Sequence, residues 1–325
     1  MTDAMSRRGL LKLGAGFAAA STVAGLVARP AQAVEGRFNL ASPSYSFIWK
    51  NPLEDPSIMQ SFAFDTVNNH IYTIQVMHGT GARARGDLTI TKLSATGANL
   101  GHMYVRDAGH GVSMAVEPVG NQVFIWTEAD AQPFPNEYSF GRTIIRFPFQ
   151  NATEVDSKAW ADKYVPIPGA TVTTPSIDPS TNRITMQYWL NGAEPRRYAV
   201  YSLADFKARR FNNPVYQFAE PPLVPAGQTV THQGWATYGE YLYTLDGTYA
   251  KPSLPEGDTY ITCIDMRTAA VVHRSFSQAG ISLDGREPEG MSVRIVNGQP
   301  QLCFGFGSGP TGARVASMFY KSAWM

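Results

Sequence analysis

Charged residues are scarce in this chain of 325 residues, since Asp, Glu, Lys and Arg make up 16% of it, against about 25% in an ordinary soluble domain. The formal net charge is +1, so no strong field attracts nucleic acid, and we expect no such partner. Glycine (29) and proline (22) are too few for a low-complexity chain or a collagen-like fibre. The composition predicts a globular protein that is long enough to bury a sizeable core.

Cysteine is equally scarce. Two cysteines cannot form a disulfide framework or a tetrahedral cysteine zinc site. Cys263 and Cys303 lie in apolar runs, where we expect buried free thiols; a single disulfide is the alternative in an exported protein. The sequence also lacks a Gly-rich nucleotide loop, a GxSxG element and an HExxH element, so it matches none of the reactions that these motifs support.

The N-terminus contains a weakly apolar stretch, and no other segment is apolar enough to span a bilayer. Arg7 and Arg8 precede residues 13–28, and Ala31-Gln32-Ala33 supplies the small-x-small pattern of a signal peptidase site. An apolar run of about 16 residues is short for a membrane span, which needs about 20. We predict that residues 1–33 are a cleaved twin-arginine signal peptide and that 34–325 form one secreted domain without a transmembrane segment. Four of the 27 basic and one of the 26 acidic residues lie in the signal, so the mature chain carries a net charge near −2.

Long helical periodicity is missing from the remainder of the chain. Short apolar or alternating runs bounded by Gly, Pro, Asn and Asp recur throughout, for example at 70–76, 184–189 and 301–306. Only residues 157–162 and 203–209 suggest brief helices. This pattern predicts an all-β fold and disfavours α/β folds with crossover helices.

Five similar units organise the predicted strands. Each begins with polar or small residues, continues as a short strand, turns at Gly or Asn, and returns as a strand with aromatic residues. The units start near residues 60, 110, 174, 233 and 289. Repeats of roughly 40–50 residues are typical of four-stranded propeller blades, so the longer intervals here predict a five-bladed β-propeller with extended loops. The strand at 45–49 would close the ring by completing the last blade; a pair of β-sandwiches is the alternative.

Polar side chains stand at the start of each unit, and in a propeller these positions converge on one mouth of the central channel. Glycine follows several of them, which lets backbones approach closely near the axis. Blade three contributes only Thr173 or Thr174. The converging set consists of the candidate catalytic residues His110, His232 and Glu289 and the candidate ligand-binding residues Gln60, Gln233 and Glu287.

Four interpretations of this axial set remain open. The histidines and a glutamate can bind a divalent metal, the one cofactor that the residue types suggest. A histidine and a glutamate can act as base and acid on a sugar or phosphodiester. The set can hydrogen-bond a polyhydroxylated or phosphorylated ligand. It can also line a polar channel filled with water.

A second set is aromatic and acidic. Trp126 and Glu128 follow a strand of blade two and are outer candidates for carbohydrate stacking and hydroxyl binding, as are residues 187–189 and 245–247. Ordinary packing between blades is the alternative for all of them. The loop at 83–85 carries two arginines that suit a phosphate or simply face solvent. We expect His102 and His273 to face solvent.

Several of these residues together resemble a known family. They are Gly109-His110-Gly111 with Trp126-Thr127-Glu128, then Gln233-Gly234, and then Glu287-Pro288-Glu289-Gly290 leading into Phe304-Gly305-Phe306. Over about residues 43–325 the chain resembles the teichoic acid biosynthesis protein C family, whose domain is similar to the head of staphylococcal phage receptor-binding proteins and to helveticin-type bacteriocins. The resemblance implies a five-bladed propeller associated with teichoic acid or a similar glycopolymer. The chain departs from the family at Thr174-Pro175-Ser176, where a larger polar residue is expected.

These observations predict a secreted, monomeric propeller that binds an anionic or neutral cell-wall glycopolymer at its axial mouth. The alternative is a glycopolymer lyase or hydrolase in which His110 or His232 is the base and Glu289 the acid. A third class, a toxin-like or adhesion protein that acts on other cells, stays open, so whether the protein is an enzyme is undecided.

Overall fold

The computed structural model describes residues 36–135, 138–249 and 254–325. The predicted signal peptide lies outside these ranges. Within them the regular structure is almost entirely β-strand, and the helices are the short α1 (Ala82–Arg85) and α2 (Leu203–Lys207). None of the described helices has the length and apolar character needed to cross a bilayer. The all-β prediction is confirmed; the helix expected at 203–209 forms in part, whereas 157–162 forms turns and not a helix.

Five sheets form the blades of a propeller, and the innermost strand of each contacts the innermost strands of its two neighbours in a closed ring. The blades contain, from the axis outward, the following strands. Blade one has β2 (Met59–Asp65), β3 (His70–Val76), β4 (Leu88–Ser94) and β5 (Asn99–Arg106). Blade two has β6 (Ala115–Val119), β7 (Gln122–Ala129), β10 (Thr143–Pro148) and β12 (Lys163–Tyr164). Blade three has β13 (Ala170–Asp178), β14 (Arg183–Leu190), β15 (Ala193–Ser202) and β16 (Tyr216–Ala219). Blade four has β17 (His232–Tyr238), β18 (Tyr241–Asp246), β19 (Tyr260–Asp265) and β20 (Ala270–Phe276). Blade five has β21 (Glu287–Val296), β22 (Gln299–Ser308), β23 (Val315–Lys321) and β1 (Tyr45–Pro52).

Three further strands extend blades one and two. β11 (Thr153–Asp156) runs parallel to β5 and so ties blade two's chain to the edge of blade one. β8 (Gln132–Phe134) and β9 (Tyr138–Phe140) form a hairpin between β7 and β10 of blade two. The five-bladed prediction is confirmed, and four innermost strands begin within four residues of the predicted starts; β6 begins five residues after His110.

The blades pack face to face, which explains the low charge of the sequence. Each of five hydrophobic clusters joins one blade to the next around the ring. A strand between two such interfaces is buried on both faces, as β3 is along residues 71–75. Cys263 and Cys303 are part of these interfaces and are buried and unbonded, as expected.

The ring is closed by the N-terminal strand, as predicted. β1 pairs antiparallel with β23, with Tyr45 opposite Tyr320 and Ile48 opposite Met318. A shorter contact precedes it, because Phe38 bridges to Trp324 and its amide donates to the Tyr243 hydroxyl at 3.1 Å. Both ends of the described chain are therefore anchored, and the edge of blade five is covered by β1.

Candidate functional site

A cavity of about 950 Å³ opens at the end of the axis where the innermost strands begin. Its size lies at the upper end of the range typical of small-molecule sites, about 300–1,000 Å³. All five blades contribute to its wall. The axial residues from the sequence all line it, namely Gln60, His110, Thr174, His232, Gln233, Glu287 and Glu289. The residues predicted to meet at the mouth do meet there.

Bulges present the cavity side chains in four of the five blades. The pairing of the innermost strand shifts register at residues 59–61, 171–174, 232–234 and 288–291. A bulge leaves an extra residue unpaired and re-aims its side chain. The extra residues include Gln60, Gln233 and Glu289, which line the cavity. The bulges were not predicted, because the pairing register depends on two strands and cannot be read from the sequence of one of them.

Glycines let the bulged strands come together. Gly290 has φ +75°, and a Cβ there would lie 2.5 Å from the Ser61 Cα of blade one. A Cβ on Gly234 would lie 2.8 Å from the Gly290 Cα. The close approach predicted after the polar residues is thus found at blades four, five and one. At Gly111 the nearest atom, on Ile74, would be 3.3 Å away, which is less restrictive.

Blade two presents its residue on a loop that Glu128 holds. The buried Glu128 carboxylate accepts backbone N–H groups from His110 at 2.8 Å, Gly111 at 2.6 Å and Gly141 at 2.5 Å. Burial raises the pKa of Glu128 to about 7, against the opposing effect of these donors. Glu128 is not part of the cavity wall, so its prediction as a ligand-binding residue is corrected: it positions the loop.

Trp126 also lies away from the cavity. It is fully buried between blades two and three, with ring centroids 5.0 Å from Tyr164 and 5.8 Å from Phe206. Its Nε1 donates to Glu117 at 2.9 Å. The alternative of packing between blades is therefore correct for Trp126. An indole on a strand gives the same sequence pattern whether it faces a ligand or a neighbouring blade.

An aromatic wall closes one side of the cavity, and it was missed in the sequence. The β8–β9 hairpin contributes Phe134 and Phe140, whose centroids are 5.0 Å apart, and Phe140 lies 5.0 Å from the His110 ring. Trp189, one of the outer candidates for carbohydrate stacking in the sequence, extends this wall from blade three, and its ring centroid lies 5.5 Å from that of Phe134. Tilted and edge-to-face rings of this kind provide apolar surface for a ligand.

Three guanidinium groups face the same cavity, from Arg83, Arg196 and Arg314. Arg83 lies 3.5 Å over the Tyr138 ring, and α1 is joined to the hairpin because the Ser139 hydroxyl donates to the Ala84 carbonyl at 2.5 Å. Within the described ranges neither Arg83 nor Arg314 has a carboxylate within 4.0 Å. The interpretation of the 83–85 loop as a phosphate contact thus fits Arg83.

The remaining arginines of this region are compensated. Arg85 pairs with Asp87 at 2.8 Å, and Arg196 pairs with Glu220 at 3.3 Å. Arg196 and Arg314 stand far from the repeated motifs in sequence, on β15 and in the β22–β23 loop. No local signal marks them as cavity residues.

The pKa values of the two carboxyl groups of blade five are raised, although the Arg314 charge opposes this. Burial, and then the neighbouring Glu287, raises the pKa of Glu289 well above its usual value, and Gln60 Nε2 donates to Glu289 Oε1 at 3.4 Å. Burial also raises the pKa of Glu287. The histidines shift the other way: burial and the Arg83 charge lower the pKa of His110 to about 3, and burial lowers that of His232. At neutral pH the histidines are uncharged.

The described residues contain no group of three or more His, Cys, Asp or Glu side chains arranged to hold a metal ion. The histidines and glutamates of the cavity therefore do not form such a donor set. His102 and His273 are partly buried and lie outside the cavity; His102 Nδ1 is 3.4 Å from Glu54. Their expected exposure to solvent is thus only partial.

Comparisons with known proteins agree with this fold. Residues 58–320 match the family described as the phage five-bladed β-propeller receptor-binding platform domain. A Bacillus subtilis (strain 168) protein, provisionally named major teichoic acid biosynthesis protein C, is 27% identical over 276 residues, or 82% of this chain. The tail fibre of Staphylococcus aureus phage P68 superposes with a TM-score of 0.66 at 18% identity over 86% of this chain. This chain spans 59% and 53% of those proteins, respectively.

Proposed function

Since the chain belongs to the phage five-bladed β-propeller receptor-binding platform family, we propose that it binds a cell-wall glycopolymer in the axial cavity, and specifically one linked by phosphate. The observation that carries this proposal is the combination, in one cavity, of an aromatic wall with the guanidinium groups of Arg83 and Arg314, which form no ion pair within 4.0 Å among the described residues. Aromatic faces suit the apolar faces of sugars, and arginine forks suit phosphate oxygens. The name of the Bacillus subtilis relative supports teichoic acid as the polymer class.

Binding is tested with purified cell walls of Bacillus subtilis strain 168. The protein lacking residues 1–33 should sediment with these walls and should fail to do so after hydrofluoric acid has removed the phosphate-linked polymer. Arg314→Gln should weaken binding about tenfold, because a charge-assisted contact to phosphate is lost. Arg210→Gln is the matched control, since Arg210 is 66% exposed and lies outside the cavity.

The aromatic wall gives a second arm of the same test. Trp189→Ala should weaken binding by about tenfold with little loss of stability, because Trp189 faces the cavity. Trp126→Phe should leave binding unchanged, since Trp126 packs between blades. Equal binding to intact and acid-treated walls would contradict the proposal.

A glycopolymer-degrading activity is the second candidate. Its basis is the raised pKa of Glu289, because a buried carboxyl that stays protonated can serve as a general acid. His110 or His232 would be the base. Release of soluble fragments from the walls, abolished by Glu289→Gln, would favour the enzyme; retained binding without release would favour the binding protein.

We also propose that the protein is exported by the twin-arginine pathway. Arg7 and Arg8 carry this proposal. Replacement of both by lysine should keep the protein inside an expressing bacterium, whereas replacement of Lys12 by arginine should not alter export.

A further inference from the structure

His232 stands out among the cavity residues because neither of its ring nitrogens has a hydrogen-bond partner within 36–135, 138–249 and 254–325. Its side chain is 3% exposed, and both Nδ1 and Nε2 are buried. Asp246 Oδ1 is buried without a partner as well and lies 4.0 Å from His232 Nδ1. Buried polar groups nearly always find partners. His232 lines the cavity, so its unpartnered ring indicates a site that a ligand completes.

The sheet sets the geometry of this pair. His232 on β17 and Asp246 on β18 are directly opposite each other in the antiparallel register, where side chains lie close enough to interact. The 4.0 Å between Nδ1 and Asp246 Oδ1 is longer than a hydrogen bond, and a rotation of the ring that shortened it would let Nδ1–H donate to Asp246 Oδ1. The carboxylate would then fix the tautomer of the ring and leave Nε2 as an acceptor.

The charges around the pair are already compensated. Asp246 Oδ2 accepts from Arg274 Nη1 at 2.8 Å, and Arg196 pairs with Glu220. Burial, and then the charge of Arg196, lowers the pKa of His232. The imidazole is therefore neutral at neutral pH, and its acceptor nitrogen is uncharged.

We propose that His232, positioned by Asp246, accepts a hydrogen bond from a sugar or polyol hydroxyl of the ligand. This inference rests on the proposed function and adds a hydroxyl subsite to it. A phosphodiester has no proton to donate to Nε2, whereas a hydroxyl is a neutral donor of the kind that this acceptor requires. In the bound state Arg83 and Arg314 then contact phosphate, and His232 contacts a hydroxyl.

The tautomer provides a test that needs no ligand. In protein labelled with ¹⁵N-histidine, the His232 signals are assigned by their loss in His232→Phe. We expect the wild type to show a protonated Nδ1 and an unprotonated Nε2, and Asp246→Ala to shift the population toward protonated Nε2. A wild-type ring protonated at Nε2 would overturn the proposal, because that nitrogen could not accept a hydrogen bond.

Teichoic acid extracted from Bacillus subtilis strain 168 tests the ligand class. Its addition should move the His232 Nε2 signal upfield, as hydrogen bonding to an unprotonated ring nitrogen does, and leave His102 unchanged. His232→Phe should weaken binding about tenfold, and His232→Gln, which restores a neutral acceptor, should recover most of the loss. His102→Phe is the matched control outside the cavity.

The outcomes separate the two levels of inference. Binding of teichoic acid with an unmoved Nε2 signal, or equal binding by His232→Phe, would refute the hydroxyl subsite and leave the proposed function intact. Failure of the wild type to bind teichoic acid would refute both.

Discussion

Blade two and the other four blades bring side chains to the cavity in different ways. Blades one, three, four and five use a bulge in the innermost strand. Blade two uses a loop, because β6 begins only at Ala115 and His110 precedes it. The bulges are held by the neighbouring backbone, whereas the loop is held by the buried carboxylate of Glu128 together with single hydrogen bonds from Gly109 N–H to Gly86 O and from Ser61 Oγ to Gly111 O.

This difference leaves room for the aromatic wall. Glu128 binds the His110 loop and, through the Gly141 amide, the chain that follows the β8–β9 hairpin. The loop and the hairpin are therefore positioned together. Blade two, which lacks the bulge, is therefore also the blade whose hairpin contributes Phe134 and Phe140 to the cavity.

Gly290→Ala gives the largest expected loss of stability among tests of the bulged blades. A Cβ at φ +75° costs about 1 kcal/mol, and the forced contact with the Ser61 backbone adds about 2 kcal/mol. We expect the free energy of unfolding in urea to fall by about 3 kcal/mol. Gly298→Ala, with φ +76° and open space around it, should cost only about 1 kcal/mol. Equal losses in the two variants would show that close approach of the blades is unimportant.

Glu128→Gln tests blade two. The glutamine amide has one oxygen, and when this oxygen accepts from His110 and Gly111 the NH2 group faces the Gly141 N–H, so two donors meet in a buried place. We expect the free energy of unfolding in urea to fall by about 2 kcal/mol at pH 8, where the wild-type carboxyl is ionised. We also expect weaker binding to cell walls, because the His110 loop is released. Glu154→Gln, at a carboxylate that is 50% exposed, should change stability by less than about 0.5 kcal/mol. A Glu128→Gln variant as stable as the wild type would mean that the His110 loop keeps its position without the Glu128 carboxylate.

The contrast between blades also shows what a sequence can reveal. Polar residues followed by glycine marked Gln233-Gly234 and Glu289-Gly290 correctly, because a crowded axis limits the residue types allowed there. Trp126 was misassigned because both faces of a blade strand are buried, so an aromatic residue carries no direction. Arg314 and the β8–β9 hairpin were missed because only the closed ring brings them to the mouth.

Glu289→Gln gives the smallest expected change in stability. Its dependence on pH compares Glu289, on the bulge of blade five, with Glu128, which holds the His110 loop of blade two. A carboxyl whose pKa is raised by folding stabilises the fold below its unfolded pKa of about 4.5, and this contribution is lost as pH rises through the folded pKa. Wild-type stability should therefore decline above pH 4.5, and Glu289→Gln should reduce this decline. At pH 8 the variant should be more stable by on the order of 1 kcal/mol, measured by urea unfolding across the pH range. Since glutamine keeps the oxygen that accepts from Gln60, a variant less stable than wild type at pH 8 would mean that the ionised Glu289 is favoured by the cavity. In that case the charge of Arg314, which already opposes the rise in the Glu289 pKa, would outweigh the effect of burial.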